Sequence, residues 1–345
     1  MSTLLRRMSD LVEDFVRQES QNKEVVGILV FGSFAKGKVR ETSDLDLLVV
    51  GKDTEGHSRT RQTRKGIPLE IHRWPLKVFG KPFSGDLGNV LSDAFIFEVM
   101  RHGKIVYDPK GILQRFKTHA QTRRLPRSHM KSLLEQACKS LQFARNLLEK
   151  KELEGAELET RKAAEEIAKA VLLEKDVTEI VPPKNYVPNL RNIAPDFYGV
   201  FREVHNLGFI RRNEVESAVQ QISNWREKIA EEARSKGKAD WLKWGKPLHG
   251  AKTELFNAQD CIESRDLDAA MLQARYSAML ITSPILRLLQ GTSPNAPSMR
   301  YIELVQNKHP YRNIINSVMN FSHNEQRIKK HIKILENITK KCFVD

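Results

Sequence analysis

The sequence predicts an α+β N-terminal domain, a small mixed sheet with helices, followed by all-α helical modules that are duplicated. Three observations predict this. Apolar β-branched runs occur only before about residue 110. Beyond that point helical periodicity takes over. The helical part also matches itself when the chain is slid by 114 residues. The expected domains are 1–108, 109–236 with its linker, and 245–345.

The elements follow in order. Leu4, Leu5, Met8, Leu11, Val12, Phe15 and Val16 recur at i, i+3, i+4 spacing, which predicts an amphipathic helix over 3–20. VVGILVF (25–31) is a buried strand, LDLLVV (45–50) a second and IPLEIHRW (67–74) a third. The segments between them, 32–44 and 51–66, read as polar and basic loops. A helix over 88–102 precedes a short KIVYD segment, and long charged helices span 131–150 and 156–175.

In the 114-residue register, 144–175 lies on 258–289 without a gap, and nine of 32 positions are identical. Arg161 falls on Arg275, Leu153 on Leu267 and Ala164 on Ala278. Two similar helical modules are therefore expected, with a boundary near 235–247. Pro284 is expected to break the long helix of the second copy.

Composition sets limits. The 345 residues suffice for two or three domains, and 40% apolar with 29% charged residues is an ordinary soluble mix. Three scattered cysteines make neither a disulfide scaffold nor a zinc ribbon. No apolar run is long enough to span a bilayer. The N-terminus carries carboxylates where a signal peptide needs an apolar core, so the expected location is cytoplasmic, with no membrane partner. The net charge is +14, with about +8 in residues 1–130 and about +6 in 241–345. Such a balance points to a polyanionic partner, nucleic acid or nucleotide.

The chemistry concentrates in GILVFGSFAKGKVRETSDLDLLVVG (27–51). Side chains alternate along a strand, so Asp44 and Asp46 share one face while Leu45 and Leu47 enter a core. Two such carboxylates repel each other unless a divalent cation lies between them. Gly32-Ser33 follows the first strand and opens a helix, where backbone N–H groups can meet phosphate. Glu70 offers a third carboxylate, as metal ligand or as base toward an acceptor hydroxyl. His72 shares the Glu70 face and reads as a surface histidine. Residues 32–38 fit GxxxxGK, but Val39 stands where a P-loop needs Ser or Thr for Mg²⁺.

Strand, Gly32-Ser33, about ten residues, then Ser43-Asp44-Leu45-Asp46-Leu47, plus Glu70, resembles the DNA-polymerase-β-type nucleotidyltransferase superfamily in its minimal branch. The KGIPLEIHRW strand beside a helical C-terminal half is similar to aminoglycoside adenylyltransferases. The helical modules resemble HEPN domains.

The resemblance implies roles. Gly32, Ser33, Lys36 and Ser43 would hold the nucleotide. Asp44, Asp46 and Glu70 would bind Mg²⁺ or Mn²⁺. The implied reaction is attack of an acceptor hydroxyl on the α-phosphate of an NTP, ATP first among donors, with release of pyrophosphate. RNA, a protein side chain and an aminoglycoside-like molecule are the candidate acceptors. A homodimer through the helical modules is the implied assembly. A non-catalytic antitoxin-like or RNA-binding protein is the alternative class.

HEPN ribonucleases carry an R-x4–6-H motif. Here only Arg123 or Arg124 with His129 fits, ahead of the first long helix, so ribonuclease activity is not expected. Lys36, Lys38, Arg40, Arg59, Arg61, Arg64, Lys65, Arg123, Arg124, Arg127 and Lys131 would line a path for polyphosphate or RNA if they shared one face. Trp241 and Trp244 could stack on a base or pack between domains.

Overall fold

The computed structural model describes residues 3–37, 39, 41, 43–52, 57–84, 88–243 and 245–344. Lys38, Arg40 and Trp244 of the sequence reading lie outside them. The chain forms two compact units, Met1–His129 and Met130–Asp345.

The first unit runs α1 (Thr3–Glu19), β1 (Val25–Phe31), α2 (Gly32–Ala35), β2 (Leu45–Gly51), β3 (Ser58–Arg64), β4 (Ile67–Pro75), α3 (Leu76–Phe79), α4 (Lys81–Ser84), α5 (Val90–His102), β5 (Lys104–Tyr107) and α6 (Ile112–Thr122). The five strands form one mixed sheet in the order β3-β4-β2-β1-β5. Only β2 and β4 pair in parallel. β1, β2 and β4 read as apolar runs because both faces of the sheet are covered there. Leu45, Leu47, Val49, Leu69 and Ile71 pack under Met8, Leu11 and Phe15 of α1. Leu48, Val50 and Trp74 face Phe79, Ile96, Phe97, Met100 and Leu113.

One strand differs from the sequence reading. Residues 58–64 are not a loop but β3, an edge strand antiparallel to β4. Its sequence, SRTRQTR, has no apolar residue, because an edge strand over solvent needs none. The signal lay in the turn. Lys65 (φ 50°) and Gly66 (φ 75°) form a two-residue hairpin loop with both residues left-handed.

The second unit is all helical: α7 (Arg127–Glu149, which begins in the first unit), α8 (Leu153–Glu174), α9 (Pro183–Ile193), α10 (Pro195–Val204), α11 (Arg212–Ser235), a short 3-10 turn (Ala239–Leu242), then α12 (Pro247–Glu263), α13 (Leu267–Gln290), α14 (Pro297–Gln306), α15 (Tyr311–Met319) and α16 (Glu325–Val344). No helix among the described residues is long and apolar enough to cross a membrane.

The 114-residue register persists in three dimensions. Helices α8 and α13 begin at 153 and 267, and α9 and α14 at Pro183 and Pro297. The turns before α8 and α13 each hold one left-handed residue, Lys151 and Arg265, and Asn206 matches Asn320 in the same way. The deepest contacts are reciprocal. Arg161 donates to Val204 O of its own copy and Met319 O of the other. Arg275 donates to Val318 O of its own copy and His205 O of the other. Each of these four partners maps onto its counterpart by the same shift, so the unit has an internal pseudo-twofold relation.

Pro284 does not break α13. A proline inside a helix costs one hydrogen bond and a clash, about 3 kcal/mol. Here Ile281, Thr282, Ser283, Ile285 and Leu286 around it are all buried, and that packing holds the helix through the defect.

Candidate active site

The site sits where β1 ends. Parallel pairing of β2 and β4 places Asp46 beside Glu70, and antiparallel pairing of β1 and β2 sets Phe31 opposite Asp46. Asp44 directly precedes β2. Carboxylate oxygens of Asp44, Asp46 and Glu70 all lie within 4.8 Å of one another.

Gly32 is required by this arrangement. Its φ is +68°, and a Cβ there would lie 1.9 Å from Asp46 Oδ2. The Asp46 carboxylate therefore occupies the space a side chain at 32 would fill. Ser33 follows in the short helix α2, half-buried, and Ser43 is half-buried just before Asp44. Lys36 at the end of α2 places Nζ 3.0 Å from Glu98 Oε1. Gly32→Ala should displace Asp46 and weaken Mn²⁺ binding at least tenfold while the melting temperature moves by a few degrees only. Calorimetric titration with Mn²⁺ checks this, and unchanged affinity contradicts it.

The carboxylates are held by arginines of β3, which the sequence reading assigned to an RNA path. Arg61 reaches both Asp44 Oδ2, at 3.1 Å, and Glu70 Oε2, at 3.2 Å. Arg59 pairs closely with Glu70 Oε1. Their neighbours are committed as well: Arg64 donates to Gln18 and Lys65 pairs with Asp14. Alternation along β3 brings Arg59 and Arg61 to one face, and the β3–β4 register puts Arg61 opposite Glu70.

Asp46 is left out of these ion pairs among the described residues. Burial pushes its carboxyl well above the usual carboxylate range, and the charges of Asp44 and Glu70 add to the effect. Glu70 behaves oppositely. Burial works to raise it, but the hydrogen bonds from His72 and Arg59 prevail and hold it at about 2.

His72 is not a surface histidine. It is buried, its Nε2 lies 2.7 Å from Glu70 Oε1, and its ring packs against Phe31 and Phe95. His57 Nε2 lies 3.3 Å from His72 Nδ1, and its ring stacks on Trp74 at 4.2 Å. Burial, with the nearby His72, depresses His57 to about 4. His72 therefore orients Glu70. Alternation placed it on the correct face, but its burial depends on Phe31 and Phe95, which come from other elements.

His129, the histidine of the one R-x4–6-H match, is buried at 1% exposure with Nε2 2.7 Å from Asp93. It packs the fold rather than facing a cleft. Trp241 lies in the 3-10 turn between α11 and α12 and is half-buried.

The donor set fits a divalent cation. Three oxygen-bearing side chains converge, hard cations prefer oxygen, and Asp46 forms no ion pair among the described residues. Mg²⁺ and Mn²⁺ both suit such a set.

Comparison with known proteins agrees in part. Residues 16–111 match the family described as "Polymerase beta, Nucleotidyltransferase". No curated protein matches the chain. Among solved structures, a nucleotidyltransferase-like protein from Exiguobacterium sibiricum aligns over 94% of this chain and 91% of that one. Its identity is 14% and its TM-score 0.42, too loose a likeness to carry an argument. The matched segment contains β1 to β5, Gly32 and all three carboxylates, so the similarity to that family falls on the sheet and the site it carries.

Proposed function

We propose that the first unit transfers NMP from an NTP, ATP first among them, to an acceptor hydroxyl and releases pyrophosphate in a metal-dependent reaction. The convergence of Asp44, Asp46 and Glu70 beside the Gly32 backbone carries this reading. A divalent cation held by these carboxylates would neutralise charge on the attacking and leaving oxygens of an in-line displacement.

The protein's own groups do the rest. Gly32 lets phosphate approach the backbone, and Ser33 and Ser43 offer hydroxyls at the edge of the carboxylate cluster. Lys36, at the end of α2, would exchange its Glu98 partner for phosphate oxygens. Asp44 and Asp46 would hold the cation that sets the reacting phosphate in line with the acceptor oxygen. Glu70 serves as ligand and anchor rather than as base. Its oxygens already accept from Arg59, Arg61 and His72, and a carboxylate held at about 2 has little affinity for an acceptor proton. Positioning supplies most of the remaining acceleration.

Arg59 and Arg61 compete with a cation for the same oxygens. Arg61→Ala should therefore tighten Mn²⁺ binding about three- to tenfold, since a nearby positive charge is removed. The same variant should bind NTP more weakly, because a guanidinium released from Asp44 is free to meet polyphosphate. Titration of Mn²⁺ and of a non-hydrolysable NTP checks both, and a weakened Mn²⁺ affinity contradicts the competition.

The acceptor follows from labelling. Each α-labelled NTP is incubated with the protein, Mg²⁺ and a cell extract, and the RNA, protein and small-molecule fractions are separated. Label in one fraction names the acceptor class. No label in any fraction, with intact protein and all four NTPs, rejects transferase activity in favour of a nucleotide-binding role.

A further inference from the structure

The two copies of the helical module differ at one matched place. In the second copy, the loop after α15 is closed onto the first. His323 Nδ1 lies 3.0 Å from Glu154 Oε1 at the start of α8, and Lys151 pairs with Glu325. Phe209 holds the position matched to His323, and it is fully exposed. Leu207, two residues earlier, is fully buried and matches buried Phe321, so the loop is anchored in the same way and only its tip differs.

The tip borders a groove of about 460 Å³ lined by Arg191, Tyr198, Arg202, Phe209 and Arg265, together with Asp266 and Asp268. In the 114-residue register Arg191 replaces Val305 and Arg202 replaces Asn316, while Arg265 matches Lys151. One copy thus has Arg191, Arg202 and an exposed ring where the other has an apolar residue, an amide and a bound histidine, while Tyr198 stands where the other has Arg312.

These groups are held in place. Arg191 lies 2.8 Å from Asp266 and its guanidinium sits over the Tyr198 ring at 5.3 Å. Arg202 lies 2.7 Å from Asp268, whose other partner is the Tyr198 hydroxyl. Arg202 also donates to Leu207 O and Gly208 O, and Arg191 to the Tyr198 hydroxyl, so both guanidinium planes are fixed, and each of the five-donor groups keeps part of its donors for an anion. Arg265, which lines the groove, forms no ion pair among the described residues, and neither does Arg211, which follows Phe209 by two residues and lies outside the lining. The groove therefore offers a free aromatic face beside oriented and unpaired cations, in a chain of net charge +14.

We infer that this groove binds single-stranded nucleic acid, one base stacking on Phe209 and adjacent phosphates meeting Arg265 and Arg211. Stacking on an aromatic ring beside a cationic track is how sequence-tolerant single-strand binding works. A protein partner would need an apolar centre, whereas the ring of Phe209 is surrounded by charge. The volume suits a nucleotide-sized group. This inference does not depend on the transfer reaction, because the groove lies wholly in the second unit.

The test uses the full chain and a fluorescein-labelled 12-nucleotide oligo(U), read by anisotropy at about 50 mM salt. Phe209→Ala should weaken binding about tenfold. Arg265→Ala should reduce the slope of log K against log salt by about 0.7. His323→Ala, at the matched position, should bind as wild type. Equal affinity of Phe209→Ala and wild type overturns the inference, as does no binding by the wild-type chain. A dimer that Phe209→Ala turns into a monomer in light scattering, with RNA affinity unchanged, overturns it in favour of a protein interface.

Discussion

Asp46→Asn should lower nucleotidyl transfer by about 10³-fold or more at saturating Mg²⁺, because it removes an oxygen ligand whose charge the reaction needs. The fold should survive. Asp46 sits among like charges with its carboxyl raised well above the ordinary range, so its ionisation opposes folding of the metal-free protein. A raised group contributes stability that is complete below its unfolded value and is lost as pH rises through its folded value. Asp46→Asn should abolish that loss, and its metal-free melting temperature should equal or exceed that of wild type at neutral pH. Asp44→Asn should reduce transfer similarly, although Asp44 also receives Arg61. Wild-type rates in either variant, or a clearly lower melting temperature for Asp46→Asn, contradict the role assigned to the pair.

Arg161→Ala should destabilise the helical unit by about 3–5 kcal/mol, the usual cost of leaving one member of a buried ion pair alone. Arg161 is 3% exposed and bonds Glu157, Val204 O and Met319 O. Its removal strands the Glu157 carboxylate, which then has only the backbone N–H and hydroxyl of Ser322. Arg275→Ala should cost less, on the order of 1–3 kcal/mol, because Met271 stands where the other copy has Glu157 and the loss falls on two backbone carbonyls. Urea unfolding of the two variants reads both numbers. Equal effects would show that the ion pair adds nothing to the reciprocal backbone contacts.

Much of this was legible in the residues, for identifiable reasons. β1, β2 and β4 are buried on both faces, so they appear as uninterrupted apolar runs. Asp44 and Asp46 interrupt such a pattern with charge, and charge that breaks a core strand calls for a reason. The 114-residue repeat was visible because Arg161 and Arg275, polar residues in apolar surroundings, recur in register.

What escaped depended on partners distant in sequence. β3 has no apolar residue, and only the Lys65-Gly66 turn announces it. Arg59 and Arg61 read as free cations until the β3–β4 register sets them against Glu70. Gly32 reads as a phosphate loop residue, yet its nearest constraint is the Asp46 carboxylate from another strand. Pro284 reads as a helix breaker because propensity is local, while the packing that overrides it is tertiary.

The carboxylate cluster should support cleavage between the α- and β-phosphates of an NTP. This is tested most directly by presenting ATP labelled at the α or at the γ position, with Mg²⁺ and the acceptor fraction that takes up label. The expected result is α-label in the acceptor, γ-label only in pyrophosphate, and equal amounts of the two products. Release of γ-label as inorganic phosphate, with α-label remaining in ADP, would contradict it.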